Sequence, residues 1–200
     1  MNKLLAEFLG TFFICAVALL AGNVLAVALA VAAMTYALGY ISGGHFNPAI
    51  SLAVWLRGQL DKQEMLRFAA AQAAGAVGAF LLYKILHESG GQDTAAKLPW
   101  FRGLIGESIF TFLVAFTWLH VRTARQQLGN AHYGVAVGMA HFAGAASLAR
   151  LSLGACNPAI GLALVLAGAV PGGMIVMYLI SGVIGGAAAA VVYRILNPND

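Results

Sequence analysis

Long apolar stretches alternate with short polar connections along the whole chain. Six of the stretches are close to the roughly 20 residues that a helix needs to cross a bilayer, while two are much shorter. We therefore predict six spanning helices, at about residues 4–20, 24–41, 64–86, 104–121, 132–148 and 172–196. The two short apolar runs, residues 47–56 and 157–167, predict half-length helices. Polar connections fall at residues 58–62, 88–103 and 122–130.

The composition strengthens the assignment to a membrane. Of the 200 residues, 61% are hydrophobic and 9% are charged, whereas soluble domains carry about 25% charged residues. The apolar N-terminal stretch resembles a signal peptide, but Glu7 interrupts it and hydrophobicity resumes at Val24. We expect a retained first spanning helix, and no separate soluble domain.

The basic residues indicate an orientation rather than a nucleic-acid partner. The net charge is +4, yet the Lys and Arg residues are scattered singly, so we predict no nucleic-acid binding. With a cytoplasmic N-terminus, seven basic residues fall inside: Lys3, Arg57, Lys62, Arg67, Arg122, Arg125 and Arg194. Four fall outside: Lys84, Lys97, Arg102 and Arg150. The excess of basic residues on cytoplasmic loops favours this orientation, with both termini in the cytoplasm.

One tripeptide, Asn-Pro-Ala, occurs twice and opens both short apolar runs. Its copies stand inside SGGHFNPA and SLGACNPA. Asparagine is a good N-cap, and proline is tolerated in the first helical turn because its missing N–H would be unpaired there. Both copies therefore predict helix starts, at Asn47, Pro48, Ala49 and at Asn157, Pro158, Ala159.

The two copies belong to an internal repeat. The second begins 110 positions after the first, and Glu7 near the start of the first long stretch is matched by Glu107 in the fourth. We divide the single predicted domain, residues 1–200, into halves at about 1–98 and 99–200. Each half holds three long stretches and one short one. Because three crossings is an odd number, the halves must be inverted relative to each other, which places a functional site near the membrane midplane.

An inverted repeat brings the two short helices together from opposite faces. Their positive N-terminal dipoles and the amides of Asn47 and Asn157 would then meet, a setting that suits a neutral hydrogen-bonding solute and disfavours a cation. The loops ahead of the motifs would offer backbone carbonyls in place of water, at Gly43, Gly44, His45, Gly154, Ala155 and Cys156. The alternative is that the motifs are two helix caps without a pore.

With these motifs the chain resembles the aquaporin, or major intrinsic protein, family. The resemblance implies an all-α membrane protein with six transmembrane helices and two re-entrant half-helices around an hourglass pore. It further implies passive flow of small uncharged solutes through each copy of a homotetramer in the lipid bilayer, in the cell (inner) membrane. Neither catalysis nor a cofactor or metal is implied.

The chain departs from the family pattern at the outer constriction of the pore. The family usually follows its second Asn-Pro-Ala with arginine, whereas this chain has Ile160. By the family's spacing, the other members of this selectivity filter would be Val27, Ala145 and Gly154. Water-selective members carry an aromatic residue and a histidine at the first two of these positions. We expect a wider, less polar filter here, and an aliphatic residue at position 160 also resembles members associated with arsenic resistance.

Two glutamates and two histidines stand within or beside the apolar stretches. Glu7 and Glu107 are costly in a bilayer unless paired, and the resemblance implies that they brace the re-entrant loops through hydrogen bonds. We expect His45 to pack and hydrogen-bond within its loop. His141 lies one helical turn before Ala145. It would either line the pore and make permeation sensitive to pH, or pack in a hydrogen-bonded position, and we favour the second.

The sequence thus predicts a passive channel for water and for larger neutral solutes such as glycerol, urea, ammonia or undissociated metalloid acids. The main alternative is a non-conducting structural or junction protein with the same fold. A secondary transporter shares the inverted repeat, but Glu7 and Glu107 are too few intramembrane carboxylates to favour it. A membrane enzyme is the least supported class, because no nucleophile or metal-ligand pattern stands out.

Overall fold

A computed structural model of the protein describes residues 1–87 and 98–200. These residues form eight α-helices and one short 3-10 turn, Arg125–Gln127, and no strand occurs among them. The helices are α1 (Asn2–Ala21), α2 (Val24–Ser42), α3 (Pro48–Leu56), α4 (Lys62–Leu86), α5 (Trp100–Thr123), α6 (Tyr133–Ser152), α7 (Pro158–Leu166) and α8 (Met174–Leu196). The predicted six long and two half-length helices are confirmed. Most of the predicted connection at residues 88–103, and Lys97 with it, lies outside the described residues.

Local capping explains where several helices begin. The side chain of Asn23 accepts hydrogen bonds from the backbone N–H groups of Leu25 and Ala26, at 2.8 and 3.3 Å, and so starts α2. Asp61 caps α4 by accepting from the N–H of Glu64 at 2.7 Å. These side chains satisfy backbone donors that no helical carbonyl can reach.

Two predicted helices are longer in the structure. Helix α5 begins at Trp100, four positions before the predicted start, and α6 continues to Ser152, four positions past the predicted end. The prediction stopped α6 before Arg150 and placed that charge in a loop, which is wrong. Arg150 lies in the last turn of α6 and is exposed, and a cation there interacts favourably with the negative helix end.

The long helices pack in two groups that correspond to the two halves of the sequence. Helix α1 packs on α2 and α4, helix α5 packs on α6 and α8, and α2 lies against α6 between the groups. The short helices cross over, because α3 contacts α8 and α7 contacts α4. The half-helices are therefore enclosed by helices of both halves.

Glycines at matching positions allow the closest helix contacts. A Cβ atom at Gly75 of α4 would lie 2.6 Å from the carbonyl oxygen of Phe8, and one at Gly185 of α8 would lie 2.7 Å from that of Ser108. Both distances are too short for a side chain. Small residues let helix backbones approach in this way in membranes.

The outer surface is that of a membrane-spanning bundle. Six helices are long and apolar enough to cross a bilayer, and many of their large apolar side chains point away from the core, among them Leu29, Met139, Val183 and Ile195. Such extensive apolar exposure is unfavourable in water and suits lipid contact. The polar side chains are instead gathered between the helices, around α3 and α7.

Candidate solute pathway

The two Asn-Pro-Ala motifs meet at the centre of the bundle. Each asparagine caps its own half-helix, with its Oδ1 accepting at 2.9 Å from the backbone N–H of Ala49 or Ala159. Each Nδ2 also reaches the opposite loop: Asn47 donates to the carbonyl oxygen of Cys156 at 3.0 Å, and Asn157 donates to that of Phe46 at 2.9 Å. An amide nitrogen carries two hydrogens. One N–H of each amide is thus without a partner among the described residues.

Glu7 holds the loop ahead of the first motif. Its Oε1 accepts from the hydroxyl of Ser42 at 2.6 Å and from the N–H of His45 at 3.0 Å. Its Oε2 accepts at 2.7 Å from both the N–H of Phe46 and Nε2 of Gln72. All four partners are donors, which matches an ionised carboxylate that can only accept.

Glu107 makes the equivalent contacts in the second half. It accepts from the hydroxyl of Ser152 at 2.6 Å and from the backbone N–H groups of Ala155 and Cys156 at 2.9 and 2.7 Å. Both glutamates are fully buried. The contacts that a loop-bracing role requires are therefore present at each carboxylate.

The residue before each asparagine has a left-handed backbone. Phe46 has a φ of 46° and Cys156 a φ of 47°, a conformation that costs a residue with a side chain about 1–2 kcal/mol. The glutamate bonds to the N–H groups of these two residues hold the conformation in place. It directs each carbonyl to the asparagine of the other half.

Phe46 lies in the loop whose carbonyls the sequence predicts to face the pore, but it is absent from the six carbonyls named there. It is the counterpart of Cys156 at the 110-residue spacing of the motifs, and its carbonyl accepts the bond from Asn157. Strict use of that spacing would have found Phe46 beside Gly44 and His45. Gly43, which was proposed instead, matches Leu153 in the second half.

Two of the six proposed pore carbonyls already accept hydrogen bonds from the protein. The oxygen of Gly44 accepts from the indole N–H of Trp118 at 3.1 Å, and that of Cys156 accepts from Asn47. A carbonyl oxygen has two lone pairs, so each can bind a further donor. A solute-binding role for the six carbonyls stays a prediction.

His45 is held by its surroundings rather than facing an open space. Its Nδ1 lies 3.0 Å from the hydroxyl of Ser51 on α3. Its ring meets those of Phe68 and Trp118 edge-on, with centroids 5.2 and 4.7 Å apart. The expected packed and hydrogen-bonded position is found, but the hydrogen-bond partner belongs to α3 and not to the loop.

A cavity of about 410 Å³, which we call the outer cavity, opens at one end of the bundle. Its lining includes all four proposed filter residues, Val27, Ala145, Gly154 and Ile160. Their side chains are small or aliphatic, so they offer a solute no side-chain hydrogen bond. Arg150 is not among the lining residues.

A second, much smaller cavity of about 10 Å³, which we call the inner cavity, lies at the two asparagines, Asn47 and Asn157. This volume is close to that occupied by a single water molecule. Its lining includes Asn47, Asn157 and His45, with apolar side chains such as Val31 and Val137. His141 lines both cavities and so lies between them.

The environment of His141 differs from the one expected. The side chain is buried, with 2% of the residue exposed, yet its Nε2 has no hydrogen-bond partner among the described residues. The hydrogen-bonded packing favoured from the sequence is therefore wrong for this nitrogen. Sequence reasoning had no signal for this, because it depends on which groups from other helices come within reach.

The opposite end of the bundle carries two arginines bound to backbone carbonyls. Arg122 donates to the oxygen of Gly39 at 3.0 Å, and its guanidinium carbon lies 4.5 Å from the centre of the Tyr133 ring. Arg57 donates to the oxygen of Thr123 at 3.2 Å. The charge of Arg57 is offset by Asp200, whose Oδ2 lies 3.7 Å from its Nη2. Both arginines lie at the end that the sequence predicts to be cytoplasmic.

Six spanning helices around two half-helices, with a polar centre reached from a cavity at one end, define an integral membrane protein of the channel type. The model of the major intrinsic protein family matches residues 1–193. The chain belongs to this family.

Several relatives agree with this assignment. The chain is 31% identical over 219 residues to the glycerol uptake facilitator protein-like 6 of Lactiplantibacillus plantarum, a match that covers 100% of each chain. It is 33% identical over 183 residues to aquaporin NIP1-4 of Oryza sativa, covering 82% of this chain and 67% of the relative. Its 39% identity to aquaporin Z of Brucella melitensis extends over 108 residues, 46% of each chain.

A solved structure shares the fold. The X-ray structure of the aquaglyceroporin from Plasmodium falciparum superposes with a TM-score of 0.79 and covers 98% of this chain and 97% of its own. The identity of 18% supports a common fold and nothing finer.

Proposed function

We propose that the protein is a passive membrane channel for small uncharged solutes and not an enzyme. Water is one solute, and the others are larger neutral molecules such as glycerol, urea, ammonia or undissociated metalloid acids. The observation that carries the proposal is the lining of the two cavities, which leads from the outer opening past His141 to Asn47 and Asn157. The names of the relatives, which include a glycerol uptake facilitator, support a solute range beyond water.

The central asparagines select by hydrogen bonding and by charge. Each amide keeps one N–H for a passing solute, and α3 and α7 both begin at this point. The N-terminus of each half-helix carries a partial positive charge of about half an elementary charge. Two such ends disfavour a cation while leaving a neutral solute unaffected.

Val27, Ala145, Gly154 and Ile160 form the selectivity filter in this proposal. Their lining of the outer cavity supports it. None carries a charge or a side-chain hydrogen-bonding group, so the filter sorts solutes by size. The free-energy cost of entering this filter is therefore smaller, for a solute with a larger apolar part, than the cost of entering a filter lined by arginine and histidine.

Glu7 and Glu107 act as loop braces. Each carboxylate joins a serine at the end of the preceding helix to two backbone N–H groups of the loop. All of these partners are hydrogen-bond donors, so the bonds commit both carboxylates to holding the loops. A proton-relay role is not needed to explain the two residues.

The membrane arrangement follows the sequence argument. The halves, residues 1–98 and 99–200, are inverted repeats, the chain lies in the cell membrane with both termini cytoplasmic, and four copies associate, each with its own pathway. The matched glutamate, serine and asparagine contacts of the two halves support the repeat. Light scattering in detergent would measure the mass of the assembly, and a monomeric mass would contradict the tetramer.

Reconstituted vesicles test the proposed function. Purified protein is placed in proteoliposomes, and volume changes under gradients of water, glycerol, urea and a neutral metalloid acid are followed by stopped-flow light scattering. We expect water and at least one larger solute to permeate faster than through protein-free vesicles. Rates equal to those of protein-free vesicles for every solute would refute the channel and favour the non-conducting alternative.

A plugged variant separates pathway flux from leakage around the protein. Ala145→Trp fills the outer cavity, where Ala145 is 2% exposed, and should remove most of the flux. Met139→Trp is the matched control, because Met139 lies on the same helix, is 66% exposed and faces away from the pathway. Equal flux in both variants would show that solutes do not follow these cavities.

A further inference from the structure

One buried polar group in the pathway has no structural partner. His141 is 2% exposed, its Nε2 has no hydrogen-bond partner among the described residues, and its ring lines both cavities. Leaving a buried polar atom unpaired costs about 1–3 kcal/mol. A group left in this state at the junction of two cavities is placed to bind something that passes between them.

The surrounding side chains make this position distinctive. On α6, Val137 lines the inner cavity and Ala145 and Ala149 line the outer one, at the four-residue spacing that places them with His141 on one helix face. On the neighbouring helix α2, Val27 and Val31 also line the cavities and are likewise apolar. His141 is the polar member of an otherwise aliphatic section.

Each of the other polar side chains lines one cavity alone: Tyr83 and His87 line the outer cavity, and His45 lines the inner one. Thr35 of α2 lines the inner cavity, but its hydroxyl donates to the carbonyl of Val31 at 2.7 Å. Asn23 lines the outer cavity, and its Oδ1 caps α2. His141 is the side chain shared by the two cavities, so it lies between the polar groups of the outer opening and the asparagines.

We propose that His141 is a solute-binding residue of this pathway, which hydrogen-bonds hydroxyl-bearing neutral solutes between the filter and the paired asparagines. The proposal rests on the channel function proposed above. A neutral imidazole offers one hydrogen-bond donor and one acceptor. A hydroxyl group can accept from the first or donate to the second. Because α6 rises about 1.5 Å per residue, the binding position lies one turn, about 6 Å, deeper than Ala145.

This position accounts for how a filter without arginine can pass a polyol. Water in single file keeps hydrogen bonds to neighbouring water molecules, whereas a polyol fills the pathway and must find its partners on the wall. With Ile160 and Ala145 at the filter, His141 supplies a partner in the section where the wall is otherwise aliphatic. It should therefore affect polyols more than water.

Substitution tests this difference. In proteoliposomes, His141→Leu keeps a side chain of similar size without hydrogen-bonding atoms, and should lower glycerol permeability about fivefold, the effect of one net hydrogen bond. Water permeability should change by less than about twofold on the same argument. His141→Gln restores a nitrogen and an oxygen and should recover most of the glycerol flux. His132→Leu is the matched control, since His132 is exposed at the start of α6 and lines neither cavity.

A merely structural role predicts another pattern. If His141 only packs, His141→Leu and His141→Gln would alter water and glycerol in the same proportion, or would leave both at the wild-type rate. Either result would overturn the proposal while leaving the channel function intact.

A binding measurement keeps the proposal testable if the vesicles do not conduct. In protein with isotope-labelled histidine, the imidazole signal absent from the His141→Gln spectrum is assigned to His141, and its chemical shift is followed as glycerol is added. A saturable shift supports solute binding whether or not flux is seen. An unchanged His141 signal would refute the proposal, and glycerol-dependent shifts at His132 would reveal a non-specific solvent effect that refutes the assignment.

Discussion

The side-chain amide of Asn47 donates a hydrogen bond of 3.0 Å to the carbonyl oxygen of Cys156, which lies 109 positions later in the chain. Asn157 returns the contact to Phe46. Each asparagine therefore starts its own half-helix and holds the loop that leads into the other one. These two reciprocal hydrogen bonds assemble the central site. A substitution in either half should therefore destabilise the other half as well.

The first prediction concerns the double role of Asn47. In Asn47→Ala, α3 loses its cap, which costs about 0.5–2 kcal/mol, and the buried carbonyl of Cys156 loses its donor, which costs about 1–3 kcal/mol more. We expect a combined loss of about 1.5–5 kcal/mol on these grounds. Thermal unfolding in detergent, followed by circular dichroism, measures it.

Asn23 provides the matched control for that substitution. Its side chain also caps a helix, by accepting from the N–H groups of Leu25 and Ala26, but it makes no hydrogen bond to the other half among the described residues. Asn23→Ala should lower the free energy of unfolding only by the contribution of the helix cap. Equal losses of stability in the two variants would show that the exchange between Asn47 and Cys156 contributes nothing.

The second prediction concerns the brace at Glu107. In Glu107→Gln, the amide NH₂ must face a donor, because Ser152, Ala155 and Cys156 all donate to the carboxylate. At least one buried N–H then loses its acceptor, so we expect a loss of about 1–3 kcal/mol in the free energy of unfolding. Solute flux should fall with it, because the second loop lines the outer cavity through Gly154.

Glu64→Gln is the control for the loss of a carboxylate. Glu64 forms an exposed ion pair with Lys3 at 2.8 Å, and such pairs contribute about 0–1 kcal/mol. Unfolding curves of the two glutamine variants, recorded side by side, should therefore differ clearly. If Glu107→Gln unfolds at the same temperature as Glu64→Gln, the brace is not a significant source of stability.

The fold was predictable from the sequence because each of its determinants is local or repeated. The lengths of the apolar stretches separated six spanning helices from two half-helices, and Asn-Pro-Ala marked where the half-helices begin. The predicted positions of the helix ends were less accurate, as at Trp100 and Ser152. Residues near a helix end can belong to either the helix or the adjoining loop.

The state of individual side chains was not predictable to the same degree. The partners of His45 and the missing partner of His141 are set by residues from other helices, which a linear pattern does not bring together. The left-handed conformation at Phe46 likewise depends on the distant Glu7. What the sequence did provide was four residues that line the outer cavity, because their positions follow from the spacing to two motifs. Their role as a selectivity filter stays a prediction.

The third prediction tests the close contact at Gly154. A Cβ atom there would lie 2.5 Å from Cα of Ala145, and the φ of 63° is unfavourable for a residue with a side chain. We expect Gly154→Ala to lower the free energy of unfolding by about 2–5 kcal/mol, from backbone strain and overpacking together. Displacement of the loop should also reduce glycerol flux.

Gly168→Ala separates the two contributions. Gly168 has a similar φ of 73°, but a Cβ atom there would meet nothing within 4 Å. It should cost about 1–2 kcal/mol, from backbone strain alone. Thermal unfolding of both variants gives the comparison, and an equal effect would mean that the contact with Ala145 is easily relieved.

The fourth prediction concerns Ile160, the residue that stands in place of the family's arginine. It is 3% exposed and lines the outer cavity with Val27, Ala145 and Gly154. In Ile160→Arg, the longer side chain narrows the cavity, and its charge holds water that a large solute must displace. We expect glycerol and urea permeability to fall about tenfold or more, an increase in the barrier of about 1.4 kcal/mol, while water permeability changes little.

Ile160→Leu is the conservative control, because it preserves both volume and apolar character and should leave glycerol flux close to wild type. The two variants are compared with wild-type protein in the same vesicles, with flux normalised to the amount of inserted protein. If Ile160→Arg leaves glycerol flux unchanged, position 160 is not at the narrow part of the pathway. A fall in water and glycerol flux by the same factor would instead indicate a blocked pathway, and selectivity would then have to be set elsewhere, with His141 as the next polar side chain inward.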